Sequence, residues 1–153
     1  MKLYTLAESQ RLPIDLTTAW AFFSNPANLS RITPPKLGFE VTSPLPPKVY
    51  SGLFITYKVR PLAGIPVTWV TEITNVDEPV RFVDEQRVGP YRIWHHEHQF
   101  IEIPGGVEMR DQVTYALPYG VLGQFMRAVV VKNSLREIFG YRRKVLAELF
   151  GTL

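Results

Sequence analysis

The sequence predicts an α+β domain in which a curved, seven-stranded antiparallel sheet wraps around one long C-terminal helix. Three observations carry this expectation. Five strand-like runs follow one another between residues 53 and 117. Their connections are too short for parallel crossovers, which need about a dozen residues or more. After Pro118-Tyr119-Gly120 the apolar period lengthens from two to between three and four, the signature of a helix.

The elements follow in chain order. Residues 2–12 alternate loosely and read as a first strand. Asp15 is placed to cap a short helix through Leu16–Phe23, and Asn25-Pro26 restarts a helical turn with Asn as N-cap and Pro at the first position. Pro34-Pro35 stops that turn. Residues 39–43 read as a strand, followed by the rigid connector Pro44-Leu45-Pro46-Pro47.

Leu53–Arg60, Ile65–Val76, Arg81–Val88, Arg92–Ile103 and Val107–Leu117 are rich in β-branched and aromatic residues. Pro61–Gly64, Asn75–Pro79, Gly89-Pro90 and Gly105-Gly106 punctuate them. The final helix carries Leu122, Phe125, Met126, Val129, Leu135, Ile138, Phe139, Val145, Leu146, Leu149 and Phe150 broadly on one face. Lys132-Asn133 interrupts that stripe, and Gly140 is a candidate bend. Such a helix is roughly 40 Å long at 1.5 Å per residue.

Composition bounds the function classes. The 153 residues, 46% hydrophobic and 20% charged, suit one domain spanning 1–153 with one core. No apolar run is long enough to span a bilayer, and the first residues do not resemble a secretory signal, so the expectation is a cytoplasmic protein with no integral membrane association. With no cysteine, disulfides, thiolate chemistry and Cys-based zinc sites are excluded. The net charge of +3 is concentrated after Leu122, where Arg127, Lys132, Arg136, Arg142, Arg143 and Lys144 face only Glu137 and Glu148. A solvated helix face is the simplest reading of these bases. They are too dispersed for a nucleic-acid footprint.

Alternation assigns the inner face of the sheet. Phe82, Asp84, Gln86 and Val88 share one side of their run; Trp94, His96, His98 and Phe100 share one side of theirs. Met109, Asp111, Val113 and Tyr115 do the same. A Gly105-Gly106 hairpin sets His98 opposite Val113 and His96 opposite Tyr115, with Asp111 diagonal to His98. A three-residue turn at Gly89-Pro90-Tyr91 sets Asp84 opposite His96. The mostly apolar inner surface therefore carries Asp84, Gln86, His96, His98 and Asp111, which either satisfy one another or meet a ligand.

At this point the chain resembles the START-like polyketide cyclase/dehydrase superfamily, also called the SRPBCC or helix-grip group. The strings that carry the resemblance are Ala19–Pro26, Gly89–Phe100 and Met109–Pro118, within the order strand, two short helices, six-strand meander, long helix. They are similar to a bacterial ligand-binding branch, some of whose members are joined to a nucleotide-sugar-epimerase-like domain. The resemblance implies the helix-grip fold and an internal cavity. Its superfamily spans lipid carriers, hormone receptors and aromatase/cyclases.

The expected function is non-covalent binding or transport of a hydrophobic or aromatic small molecule, or a lipid. The expected pocket is several hundred Å3, roughly in the 300–1,000 Å3 range of ligand sites. Its candidate binding residues are Tyr57, Trp69, Gln86, Trp94, His96, His98, Tyr115, Phe125, Met126 and Val129. One alternative is an aromatase/cyclase-type enzyme, with His96, His98, Asp84 and Asp111 as candidate acid–base residues. Another is a protein-interaction module. The strand spacing lets only His96 and His98 point the same way, and Asp84 or Asp111 would have to complete a metal set. Core histidines satisfied by carboxylates are the simpler reading, so the sequence assigns no metal and no cofactor. No nucleophile elbow, phosphate loop or dinucleotide fingerprint is present.

Overall fold

The computed structural model describes residues 1–62 and 64–153. Seven strands form one antiparallel sheet: β1 (Tyr4–Leu12), β2 (Glu40–Val41), β3 (Phe54–Leu62), β4 (Ile65–Asp77), β5 (Arg81–Val88), β6 (Ile93–Ile103) and β7 (Gly106–Ala116). Their order is β1-β7-β6-β5-β4-β3-β2, so consecutive strands are neighbours except where β1 closes onto β7. Of the expected Pro61–Gly64 turn, Ala63 lies outside the described residues.

Two short helical segments follow β1. Helix α1 (Leu16–Phe23) starts at Asp15, whose carboxylate accepts from Thr18 N–H at 2.7 Å. A 3-10 segment, Pro26–Ile32, starts at Asn25, whose side chain accepts from Ala27 N–H at 3.1 Å. Both caps occupy donors that an isolated helix end leaves unpaired. Trp20 projects from α1 into the core and meets Phe82 and Phe100 edge-on, at 5.9 and 5.8 Å between centroids.

The C-terminal helix is continuous but not uniform. Helix α2 (Gly120–Met126) passes through a π turn (Arg127–Val131) into α3 (Lys132–Phe150). Only α3 buries a stripe, through Leu135, Phe139, Arg142 and Leu146. Its anchors on β1 are polar: Gln10 Nε2 donates to Arg143 O at 3.0 Å, and Arg143 Nη2 to Ser9 O. Helix α2 instead leaves Val121, Leu122 and Phe125 exposed, as is Val129 in the π turn.

The β6–β7 hairpin departs from expectation. Ile103 pairs with Gly106, so the turn is Pro104-Gly105, one residue earlier than Gly105-Gly106. Gly105 has φ 82°, and Pro-Gly supplies the fixed first and left-handed second positions of a type II turn. Gly106 is needed in the strand: a Cβ there would lie 2.1 Å from the Leu12 carbonyl oxygen. The register moves by two residues, so His98 faces Asp111 and His96 faces Val113. A two-residue shift keeps every side chain on its own face. The Asp84–His96 pairing is as the sequence predicts. Val88, expected inside, is 53% exposed, because the β4–β5 pairing shifts register near the strand end.

Candidate functional site: a carboxylate–histidine cluster under an aromatic pocket

Strands β5, β6 and β7 bring Asp84, His96, His98 and Asp111 together on the inner face, and α3 lowers Arg142 onto them. Each imidazole reaches both carboxylates, the diagonal one more closely. His98 Nε2 lies 2.6 Å from Asp84 Oδ2 and His96 Nε2 lies 2.8 Å from Asp111 Oδ1. The directly facing contacts are longer, 3.6 Å for His96 Nδ1–Asp84 Oδ2 and 3.2 Å for His98 Nδ1–Asp111 Oδ1. The rings overlap at 3.7 Å between centroids, and Phe82 stacks on the far side of His98 at 4.2 Å. Arg142 Nη2 lies 3.4 Å from Asp111 Oδ1 and 3.7 Å from Met109 Sδ.

Burial and charge pull these groups in opposite directions. Burial raises the Asp111 pKa, but Arg142 and then the two histidines outweigh it and hold the carboxyl well below its usual range. Burial likewise raises Asp84, and His96, His98 and Arg142 bring it back below the usual value. Burial together with the neighbouring His98 lowers His96, which favours its neutral form. Burial also opposes charge on His98, yet its contacts with Asp111 and Asp84 raise it. The result is an ionised carboxylate pair with one neutral and one more basic imidazole.

Above the cluster, between the inner face and α3, lies a pocket of about 230 Å3. Its wall includes Tyr57, Trp69, Trp94, Asp84, His96 and His98. The volume falls below the range the sequence suggests, because large rings occupy the space: Trp69 meets Trp94 at 5.5 Å and Tyr91 at 5.6 Å. Trp69 Nε1 donates to Thr71 Oγ1 at 3.1 Å, and Tyr57 Oη shares a hydrogen bond with the same hydroxyl at 2.9 Å. Burial raises the Tyr57 phenol, so it stays protonated.

Five candidate residues lie elsewhere. Gln86 is half-buried, but its amide is spent on the β5–β6 turn, donating to Tyr91 O at 2.6 Å and accepting from Tyr91 N–H at 3.0 Å. Tyr115 is buried against Tyr4 and Tyr91, and its hydroxyl accepts from Arg127 Nε at 3.3 Å. Phe125, Met126 and Val129 lie on α2 and the π turn, with Phe125 and Val129 exposed. The pocket takes Ser134, Leu135, Ile138 and Phe139 of α3 instead.

The sequence reading missed the contribution of the first helices, Phe22 and Ile32 among them, and of Phe39 just before β2. It also read Arg142 as solvated, whereas it is 7% exposed. A signal was present: Arg142 follows Phe139 by three residues and precedes Leu146 by four, on the buried stripe rather than opposite it.

No protein-family model matches the chain, and no curated protein matches it. Solved structures do. Protein CV1439 from Chromobacterium violaceum superposes with a TM-score of 0.72 at 13% identity, over 97% of this chain and 99% of that one. Ara h 8.0201 gives a TM-score of 0.61 at 14% identity, over 96% and 99%. The di-domain ARO/CYC BexL from the BE-7585A biosynthetic pathway gives 0.65 at 16%, over 94% of this chain and 50% of that chain. At such identities the likeness is one of fold, and the chain has a helix-grip fold. Within that fold this chain carries a two-histidine, two-aspartate, one-arginine cluster at the base of its pocket. Among the described residues, no helix is long and apolar enough to cross a membrane.

Proposed function

We propose that this protein binds a hydrophobic or aromatic small molecule, or a lipid chain, in the pocket between the sheet and α3. The observation that carries the reading is the aromatic wall of Tyr57, Trp69, Trp94 and Phe139 set above a polar base. Burial of apolar ligand surface supplies affinity at roughly 25 cal/mol per Å2, and the few polar groups orient the ligand. The likeness to Ara h 8.0201 and to an ARO/CYC protein supports a pocket-bearing fold without naming an occupant.

The test is native mass spectrometry of the protein purified from its own host, followed by extraction of any retained molecule. A co-purifying apolar compound that rebinds the stripped protein is the expected result. Protein recovered empty, and unable to bind Nile red in a way that pocket substitutions abolish, would overturn the reading.

A second reading is an acid–base enzyme of the cyclase type, favoured by the 2.6 Å contact between His98 and Asp84 at the pocket wall. His98→Gln separates the two. In a carrier it preserves much of the binding, since an amide still hydrogen-bonds. In an enzyme it lowers turnover by roughly 100-fold or more, because an amide cannot exchange the proton.

A further inference from the structure

Three donor atoms of the cluster face the pocket together. Asp84, His96 and His98 each offer one donor atom within 4.8 Å of the others, and all three residues line the pocket; Asp84 Oδ2 is 3.6 Å from His96 Nδ1 and 2.6 Å from His98 Nε2. Behind them Asp111, which is outside the pocket wall, meets the other nitrogen of each ring, at 2.8 Å from His96 Nε2 and 3.2 Å from His98 Nδ1. An imidazole that binds a metal through one nitrogen characteristically gives its other N–H to a carboxylate, which fixes tautomer and ring orientation. Asp111 holds that position for His96 and lies 3.2 Å from His98 Nδ1 without hydrogen-bond geometry, and Arg142 braces it from α3 at 3.4 Å. We propose that Asp84, His96 and His98 form a binding site for a divalent first-row transition-metal ion, with Asp111 as the orienting outer carboxylate and open coordination positions facing the pocket.

The distances are compatible with this role. With metal–ligand bonds of 2.0–2.2 Å, neighbouring donors around a tetrahedral ion sit about 3.3–3.6 Å apart. The 3.6 Å between His96 Nδ1 and Asp84 Oδ2 is already of that size. With the His96 Nε2 proton committed to Asp111, Nδ1 turns a lone pair toward a carboxylate oxygen, two electron-rich atoms with no hydrogen between them. A cation between the two atoms turns that opposition into two bonds.

The 2.6 Å contact between His98 Nε2 and Asp84 Oδ2 must open by about 1 Å. As it opens, the Nε2 proton leaves to solvent and both atoms turn their lone pairs to the ion. Asp84 has room to move, because its side chain is the most accessible of the four at 17%. Two imidazoles and one carboxylate, with no sulfur, suit Zn2+, Fe2+ or Co2+ and not a soft ion such as Cu+. The inference does not depend on which organic molecule, if any, enters the pocket above.

The full-length chain, stripped with EDTA and dialysed, is titrated with Co2+ and followed by visible absorption and calorimetry. One Co2+ per chain is expected, with the d–d bands of a four- or five-coordinate nitrogen–oxygen site, displaced by equimolar Zn2+. The chain has three histidines, and His95 sits apart, on Glu85 at 2.9 Å. His95→Gln should therefore keep the bands, while folded His96→Gln loses them and Asp111→Asn weakens binding by about 10–100-fold.

Wild-type protein can be judged without any variant, by X-ray absorption of its Zn2+ adduct. A shell containing two imidazole nitrogens at about 2.0–2.1 Å supports the site. No uptake at millimolar Co2+, an oxygen-only shell, or bands that survive His96→Gln but vanish in His95→Gln would each overturn it.

Discussion

Arg142 joins the helix to the sheet by a buried charge pair, and replacing it tests the arrangement most directly. Arg142→Met keeps most of the aliphatic length and removes only the guanidinium. Asp111, 4% exposed, would lose the cation 3.4 Å away but keep His96 Nε2 at 2.8 Å and His98 Nδ1 at 3.2 Å. Breaking a buried ion pair by removing one partner costs about 3–5 kcal/mol. The surviving histidine contacts place this case at the lower end, about 3 kcal/mol.

Urea unfolding of the EDTA-treated protein is the assay. With a slope of about 2 kcal/mol per molar, the midpoint should fall by about 1.5 M. Asp111→Leu combined with Arg142→Met should cost less than the two changes separately, by about 1–3 kcal/mol, because the uncompensated charge is gone. A loss below about 0.5 kcal/mol for Arg142→Met, the scale of a surface substitution, would refute the reasoning. It would mean that Arg142 is solvated and α3 is rotated about its axis.

The other predictions concern neighbouring parts of the same design. Asp84→Ala should cost about 1–3 kcal/mol by leaving His98 Nε2 without its 2.6 Å partner; an unchanged melting temperature would mean the pair does not form. Ile138→Trp, which fills the pocket from α3, should abolish Nile red fluorescence while the protein stays folded. Fluorescence equal to wild type would place the dye elsewhere, for instance on the exposed apolar residues of α2.

Two glycine substitutions should move stability in opposite directions in thermal denaturation. Gly106→Ala is expected to lose about 1–3 kcal/mol, because its Cβ would meet the Leu12 carbonyl at 2.1 Å. Gly140→Ala, in α3 with nothing within 4 Å, should gain about 0.5–1 kcal/mol. A neutral Gly106→Ala would show that β1 and β7 do not approach as closely as described.

The polar cluster was legible in the sequence as a set of residues on one face, though not as a geometry. Alternation in β5, β6 and β7 selects Asp84, His96, His98 and Asp111, and this selection survives an error in the turn. Moving the hairpin from Gly105-Gly106 to Pro104-Gly105 shifts the register by two, one full period of the strand, so inner residues stay inner. The shift changes which residues face each other, and that depends on the close approach of Gly106 to Leu12, a contact between strands at opposite ends of the chain.

The sequence by itself thus determined the order of elements, the caps at Asp15 and Asn25, and the inward face of each central strand. All of these rest on interactions a few residues apart, or on a period that distant contacts alter only locally, as the β4–β5 register shift does at Val88. The tertiary structure alone decided which part of the C-terminal helix reaches the sheet and what meets the carboxylates. Leu122, Phe125 and Val129 continue the apolar stripe as well as Leu135 and Phe139 do, and only the docking of α3 against β1 and the Pro26–Ile32 segment leaves the former exposed. Arg142 is buried for the same reason. A charge on an apolar stripe is costly until a carboxylate from a distant strand arrives opposite it, and Asp111 is brought there by the fold.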